Sequence, residues 1–469
     1  MAKQIKIPED CGFPQLLEMS DKHRLAAALQ ETLGESLRAQ RQRIYSCNIK
    51  RMYYKPGRRC RLNMIAKIRN ENGEKLGEQI YYGRILPSGK GGKLFQRLQR
   101  KNFLTPAFGA PLGFVPQWEM IVWAYPNDPN MRSMKTLVQP GKVLARAQAQ
   151  PRLFGIHNGY RPTTIATRLA KYVPGKRCAY FFDLGLAEHD GAAIRTHTIF
   201  GKTYKAKDGE AAYAIMNKIW QTPACQNRGF RMPQPYGYDA NLKILWQEAI
   251  TGRALAKIAS GIALPNVLRE AGGRLAAFHD SGLRLPELYT LDFQLEKVQR
   301  AVEAVQHTAP QYAEACLTLQ QMLVATAVSL APIAFTPVHG SFKFSHIFYD
   351  EREVWFIDFD GAHQGDPCYD LGRLIAYLGK LQAEGELDDA EVQHAAASFC
   401  AAYREATPRL VPQARVNWFA SSHMLTSQIY KAVKSLDESL LERLLAIAKK
   451  WVEGSFGEKY QESINRAIP

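Results

Sequence analysis

A chain of 469 residues exceeds one ordinary core, so two or three domains are expected. Hydrophobic residues at 46% and charged residues at 22% exclude a disordered chain, and no run reaches the ~18 uncharged apolar residues of a membrane helix. The net charge of +17 is uneven: residues 1–150 carry +15, residues 151–250 carry +7 and residues 251–469 carry −5.

Residues 1–40 read as an N-terminal helical segment. Met1 to Pro14 has acidic residues and no apolar stretch of the secretory kind. The eight cysteines form no CxxC pair, which argues against a zinc site or disulfide framework and for a reducing cytoplasm.

An internal repeat organises residues 41–250. Tyr54-Lys-Pro-Gly-Arg-Arg-Cys60 recurs as Tyr172-Val-Pro-Gly-Lys-Arg-Cys178, an offset of 118. At that offset Gly73 falls on Gly191, Gly83-Arg84 on Gly201-Lys202, and Gly91 on Gly209. Six residues of insertion later, Pro111-Leu-Gly-Phe114 meets Pro235-Tyr-Gly-Tyr238. The chain therefore reads as a first, basic module at 41–150 and a second copy at 151–250. In each copy a strand (Arg61 to Arg69; Ala179 to Ala187) runs into a turn, Asn70-Glu-Asn-Gly73 or Glu188-His-Asp-Gly191, whose residues tolerate positive φ. Strands ending at Gly83 and Gly201 follow. Helices are then expected at Leu94 to Lys101 and Glu210 to Trp220, and strand pairs around Ile121 to Ala124 and Ile244 to Ala249. Ser88-Gly-Lys-Gly-Gly92 reads as a solvated turn. Residues 41–101 hold 17 basic and 3 acidic side chains, with Tyr53, Tyr54, Tyr81, Tyr82 and Phe95 interleaved. An acidic protein, anionic lipid or nucleic acid would suit residues 41–150 as a partner, and a well-solvated face is the plainer alternative.

Beyond Gly252, amphipathic spacing predicts helices at Leu264 to His279, Phe293 to His307, Gln311 to Ala331, Asp389 to Ala406 and Glu438 to Val452. Residues 251–469 thus form a helical half behind a sheet-rich one, an α+β arrangement. Within it lies an island of another kind: His339-Gly-Ser-Phe-Lys-Phe-Ser-His346, a hairpin around Asp350-Glu-Arg-Glu353, then Ile357-Asp-Phe-Asp-Gly361 and Gly365-Asp-Pro-Cys-Tyr-Asp-Leu371. Asp358, at a strand end with Asp360 two residues on, is placed for a hard cation such as magnesium.

These residues resemble the aminoglycoside phosphotransferase and choline kinase families, whose loop reads His-Gly-Asp-x-x-x-x-Asn, followed by Ile-Asp-[Phe/Trp]-[Asp/Glu] and Gly-Asp-Pro-x-x-Asp-Leu. The match falls on His339, Gly340, Ile357, Asp358, Asp360, Gly365, Asp366, Pro367, Asp370 and Leu371. It spans about Tyr172 to Leu378, with Leu275-Ala-Ala-Phe-His279 similar to the helix before the families' substrate region. The resemblance implies a protein-kinase-like two-lobed fold, a duplicated β-sheet N-lobe and a mainly helical C-lobe, with ATP and magnesium or manganese as cofactors. It implies that Lys202 contacts nucleotide phosphates, that Glu210 pairs with it, and that Gln247, Glu248 and Ala249 form a hinge holding the adenine.

The departures are two. Ser341 stands where the family has its catalytic Asp, and His346 where it has a metal-binding Asn. Serine is no base at neutral pH, and imidazole suits manganese or zinc better than magnesium. Asp360 or His346 could take over proton handling beside His339 and Ser341, with Asp358 and His346 as the metal ligands. Asp366 and Asp370 read as helix-capping and loop-bracing residues. Two functions stay open: slow or altered phosphoryl transfer to an unknown small-molecule acceptor, and an inactive pseudokinase scaffold acting through the basic module. A polycationic acceptor gains little from so basic a chain, although the helical half is acidic.

Overall fold

The computed structural model describes residues 16, 18, 19, 21–55, 59–157, 159–188, 194–204, 208–258, 263–435 and 438–453. The N-terminal stretch 1–14, the centre of the first heptapeptide (56–58) and the turn residues 189–193 with Gly191 lie outside them. The chain divides into two compact units: Met1–Glu210 with Tyr236–Ala249, and Ala211–Pro235 with Ile250–Pro469.

The first unit is built from helices α1 (Lys22–Leu33) and α2 (Glu35–Ala39), strands β1 (Gln42–Lys55), β2 (Arg59–Asn70) and β3 (Lys75–Ile85), helix α3 (Lys90–Leu98), and strands β4 (Leu112–Val115) and β5 (Met120–Ala124). After helices α4 (Met134–Leu137) and α5 (Pro140–Ala149) come strands β6 (Tyr160–Val173), β7 (Arg177–Glu188) and β8 (Ile194–Thr203), the start of helix α6 (Asp208–Trp220), and strands β9 (Pro235–Asp239) and β10 (Ile244–Glu248). The sheets have orders β1-β2-β3-β5-β4 and β6-β7-β8-β10-β9. Their registers coincide in detail. The shift between Ile44↔Ile68 and Ser46↔Lys67 recurs, 118 residues on, between Pro162↔Leu186 and Thr164↔Gly185. Leu62↔Gly83 becomes Tyr180↔Gly201, and Gly83↔Val122 becomes Gly201↔Trp246.

The likeness includes the helix before each sheet. Gln30 on α1 accepts the Ile44 N–H at 2.6 Å; its counterpart Gln148 on α5 faces Pro162, which has no N–H, and donates to the Pro162 carbonyl at 3.0 Å. Each helix completes the core of the sheet after it: Leu25, Leu29 and Leu33 join Leu62, Met64 and Val122, whereas Val143 and Ala147 join Phe182, Ile199 and Trp246. Residues 131–150, assigned from the sequence to the first module, therefore pack in the second core. Of the expected turn at Ser88–Gly92, Ser88 and Gly89 do turn, whereas Lys90 to Gly92 start α3: Gly91 is buried and donates its N–H to Glu119 at 2.7 Å.

Between the two sheets, the β6–β7 turn is held by Asp128. Its carboxylate accepts the Gly175 N–H, the Tyr172 hydroxyl at 2.8 Å and the Asn130 N–H at 2.8 Å. Burial pushes the Asp128 carboxyl up, against those hydrogen bonds and Arg61, which pull it down. Lys176 caps the Tyr53 ring at 4.2 Å.

The second unit contains the remainder of α6, helix α7 (Pro223–Gln226), strand β11 (Arg253–Ala254), helix α8 (Leu264–His279), strand β12 (Leu288–Tyr289) and helices α9 (Leu291–Thr308) and α10 (Ala313–Ala327). Strands β13 (Thr336–Val338), β14 (Ile347–Tyr349), β15 (Val354–Phe356) and β16 (His363–Gly365) follow, then helices α11 (Cys368–Ala383), α12 (Asp389–Ala406), α13 (Gln413–His423), α14 (Tyr430–Ser435) and α15 (Glu438–Val452). A π-helical stretch, Met424–Ile429, separates α13 from α14. The predicted bounds of α8, α12 and α15 match; of α11 only the start, at Asp366 and Asp370, was anticipated, and α13 was not. Small sheets β11-β14-β15 and β12-β16-β13 carry the island, with the expected hairpin between β14 and β15.

Asp128→Ala should leave the Gly175 N–H and Tyr172 hydroxyl buried without acceptors and destabilise the first unit by about 2–4 kcal/mol, read by urea unfolding. A change below about 0.5 kcal/mol, the usual size for an idle surface site, would contradict the assigned role.

Candidate functional site

The island is organised by one buried carboxylate. Asp370, on the first turn of α11, accepts the Gly340 N–H at 3.0 Å, the His339 N–H, and His279 Nε2–H at 3.2 Å. Asp370 and His279 side chains are both 0% exposed. His279 Nδ1 in turn accepts from Tyr403 Oη at 2.7 Å. Burial alone would raise the Asp370 carboxyl; the His279 hydrogen bond and the neighbouring imidazoles outweigh it and hold it below its ordinary value. Asp366 caps Cys368 N at 2.9 Å and pairs with buried Arg415.

This bracing sets the loop between β13 and β14. Gly340 has φ +72°, and a Cβ there would lie 2.1 Å from the Gly361 carbonyl oxygen, so only glycine fits. The alternation Ser341-Phe-Lys-Phe-Ser345 buries Phe342 and Phe344 and leaves Ser341 half-buried. Asp358 adopts φ +69°, ψ 50°, a left-handed conformation that Asp tolerates better than most residues. That turn carries its side chain, 23% exposed, to His346.

Ser341, His346 and Asp358 form a hydrogen-bonded series. Ser341 Oγ lies 3.2 Å from His346 Nδ1, and His346 Nε2 lies 3.2 Å from Asp358 Oδ2. His339 Nε2 donates to the Ile357 carbonyl at 2.9 Å, which leaves its Nδ1 as an acceptor 3.3 Å from Ser341 Oγ. Likewise the carboxylate fixes Nε2–H on His346. One serine hydroxyl thus faces two imidazole lone pairs and the Asp358 carbonyl at 3.3 Å, with one hydrogen to share. Burial holds both His339 and His346 below the ordinary imidazole value, against the opposing pull of Asp370 and Asp358 respectively.

Of the predicted residues, the structure brings Ser341, His339, His346 and Asp358 together. Asp360 stands half-exposed in the following 3-10 turn, Phe359–Gly361. His346, expected as a metal ligand, is engaged with Asp358 instead. Among the described residues no three His, Cys, Asp or Glu side chains converge to hold a metal. Asp358 is the one predicted carboxylate of the series, with His346, the other expected ligand, 3.2 Å from it.

The predicted nucleotide residues lie in the first unit. Lys202, half-buried on β8, pairs in register with Leu245 and sits 5.0 Å over the Tyr204 ring. Gln247 is buried on β10, and Glu248 and Ala249 are half-buried at its end. Glu210 is exposed on α6, and among the described residues no ion pair joins it to Lys202. Sequence reasoning missed the role of His279 with Tyr403. It also missed His363, whose ring stacks on Tyr289 at 3.7 Å, donates to the Gly361 carbonyl at 2.7 Å and abuts Gly340.

Residues 204–410 match the sequence model described as the phosphotransferase enzyme family. Comparison with curated proteins gives no match. Among solved structures, a thermostable mutant of aminoglycoside phosphotransferase APH(4)-Ia is similar at 16% identity over 63% of this chain and 96% of its own, with a TM-score of 0.45. A choline/ethanolamine kinase family protein from Mesorhizobium loti is similar at 15% identity over 66% and 94%, TM-score 0.40. Spectinomycin phosphotransferase APH(9)-Ia, solved with ADP and spectinomycin, is similar at 12% identity over 67% and 97%, TM-score 0.42.

The second unit should weaken in mild acid. Burial holds His339, His346, His363 and His423 below the ordinary imidazole value, His363 at about 4. Their stabilising contribution is complete above about pH 6.5. As pH falls, the unfolded chain binds protons first, and each such histidine costs about 1.4 kcal/mol per pH unit until its folded value is reached. Tm measured from pH 7 to pH 4.5 should fall, and His363→Gln should flatten that slope. An identical slope in the variant would contradict the assignment.

Proposed function

We propose, on the match of residues 204–410 to the phosphotransferase enzyme family model, that this protein binds ATP with magnesium or manganese and transfers the terminal phosphoryl group slowly to a small-molecule hydroxyl. The observation that carries this reading is the Ser341–His346–Asp358 series at the positions of the family's loop residues. In the transfer, the acceptor oxygen forms a bond to the γ-phosphorus as the bond to the departing ADP oxygen breaks, and the hydroxyl proton leaves late to solvent water. Phosphoryl transfer depends chiefly on positioning and electrostatic stabilisation, so a loop without its carboxylate is slowed rather than stopped. Loss of a general base costs roughly 10²–10⁴ in rate. Ser341 orients the acceptor hydroxyl, and neutral His346 holds Ser341 in place while His339 stays buried behind it.

In this reading Lys202 contacts the phosphates and the backbone of Gln247, Glu248 and Ala249 receives the adenine. Glu210, on α6, belongs to the same nucleotide-binding set, and Asp360 to the catalytic one. The cation would be held by Asp358 and the nucleotide phosphates, and when bound it neutralises phosphate charge. The matched registers of the two sheets support descent from one duplicated module, of which the first is degenerate: Arg84 stands for Lys202. Buried cysteines without disulfides among the described residues accord with a cytoplasmic setting.

A second reading, a pseudokinase acting as a scaffold through basic residues 41–150, is favoured by His346 engaging the Asp358 carboxylate that a cation would use. An acidic protein, anionic lipid or nucleic acid would then be the partner, with steeply salt-dependent binding.

Thermal shift with ATP plus magnesium or manganese, run beside an assay of ATP consumption, separates the readings. Stabilisation with slow consumption is expected, and both Asp358→Ala and Lys202→Ala should abolish the metal-dependent shift. Ser341→Asp should raise the rate by at least about tenfold. Stabilisation without turnover in either form would favour the pseudokinase, and no stabilisation by any nucleotide would overturn the phosphotransferase reading and leave the scaffold.

A further inference from the structure

Beside the loop, wholly within the second unit, lies a pocket of about 370 Å³ lined by α9, α11 and the π-helical stretch. Gln294, Lys297 and Ala301 line one face of α9; Tyr369 and Arg373, one turn apart, line α11. Thr426 and Ser427 close it from the π-helical stretch, an irregularity often found at functional sites. The volume is at the small end of the range for small-molecule sites.

Its charge runs against that of the second half of the chain. Among the described residues Lys297 and Arg373 have no carboxylate partner, and no Asp or Glu lines the pocket. Glu296, the nearest acid in sequence, pairs at 2.9 Å with Arg300, a mostly exposed residue at the pocket's edge, and among the described residues leaves Lys297 and Arg373 without a carboxylate. The Lys297 ammonium sits 4.6, 4.8 and 5.6 Å from the ring centres of Tyr289, Phe293 and Tyr369. Those rings form a cage of the sort that recognises cationic ligands, and here the protein's own lysine fills it. Burial and the nearby guanidinium groups of Arg373 and Arg300 lower Lys297 to about 8, and burial with Arg373 and Lys297 keeps His423 neutral. A cationic ligand entering this pocket would meet a filled cage and like charges. An anion would meet two cations lacking counter-charges, plus two hydroxyl groups.

Packing ties the pocket to the loop. Tyr289, part of the lysine cage, stacks on His363, and His363 abuts Gly340, the residue before Ser341.

We propose that this pocket is the acceptor site and that it takes a small hydroxylated anion, bearing a phosphate or carboxylate held by Lys297 and Arg373. The acceptor role rests on the phosphotransferase reading; anion binding does not.

The two are tested separately on the full chain at fixed ionic strength. Glucose 6-phosphate and gluconate are titrated against glucose and choline by calorimetry without nucleotide, then again in the ATP-dependent assay. A saturable signal with either anion, absent for glucose and choline, is expected, and the two anions distinguish phosphate from carboxylate. Lys297→Met and Arg373→Gln should each weaken anion binding roughly 10- to 100-fold, the usual effect of removing a hydrogen bond to a charged group. Lys297→Arg should largely retain it and serves as the folded control, and all three variants should keep the ATP-dependent thermal shift. Equal binding of glucose and its phosphate, or full affinity in Lys297→Met, would overturn the anion site. Anion binding without any ATP-dependent shift would leave the site standing and sink the phosphotransferase reading alone.

Discussion

The geometry of the second unit hangs on the Asp370 carboxylate. A charge taken wholly out of water is unfavourable unless hydrogen bonds replace hydration. Here the His339 and Gly340 N–H groups and the His279 imidazole supply them. The two backbone bonds also fix Gly340 in its left-handed turn, and that turn sets Ser341 before His346. Loop shape and charge stabilisation are therefore one arrangement, linking α8, α11 and α12 through His279, Asp370 and Tyr403. An arrangement this over-determined persists whether or not the loop still catalyses, which explains how Ser341 and His346 can replace an acid and an amide without loss of form.

The replacement pair is itself ordered. Serine and histidine at these two positions are complementary: one hydroxyl hydrogen, one imidazole lone pair, and a carboxylate that orients the ring. The series has the connectivity of a nucleophile–base–orienter array, but burial suppresses the basicity of His346. Its geometry suits positioning a hydroxyl better than removing a proton.

Much of this was legible in sequence because it is local. The residues from His339 to Leu371 form one contiguous run, so the hairpin was readable from its own residues, and the loop and its brace from the run's resemblance to a family motif. Helices α8, α12 and α15 were also readable from their amphipathic spacing. Of α11 only the start at Asp366 and Asp370 was, and α13 was not, because they lie inside: most of α11 and nearly all of α13, Arg415 and Asn417 included, are buried, which erases the polar stripe that marks a surface helix. The repeat was visible, but its true extent was not. The helices that complete each sheet share little sequence, and only the paired roles of Gln30 and Gln148 connect them. Asp128, Tyr403, Lys297 and Arg373 were beyond reach, since each acts on partners distant in the chain and carries no motif.

The tautomer of His346 tests the central claim most directly. Nitrogen-15 NMR of the histidine-labelled protein at neutral pH should show His346 protonated at Nε2 and bare at Nδ1, as required if it both faces Asp358 and accepts from Ser341. In Ser341→Ala the same tautomer should persist with a shifted Nδ1 resonance. A His346 protonated at Nδ1, or one averaging freely between tautomers, would contradict the account.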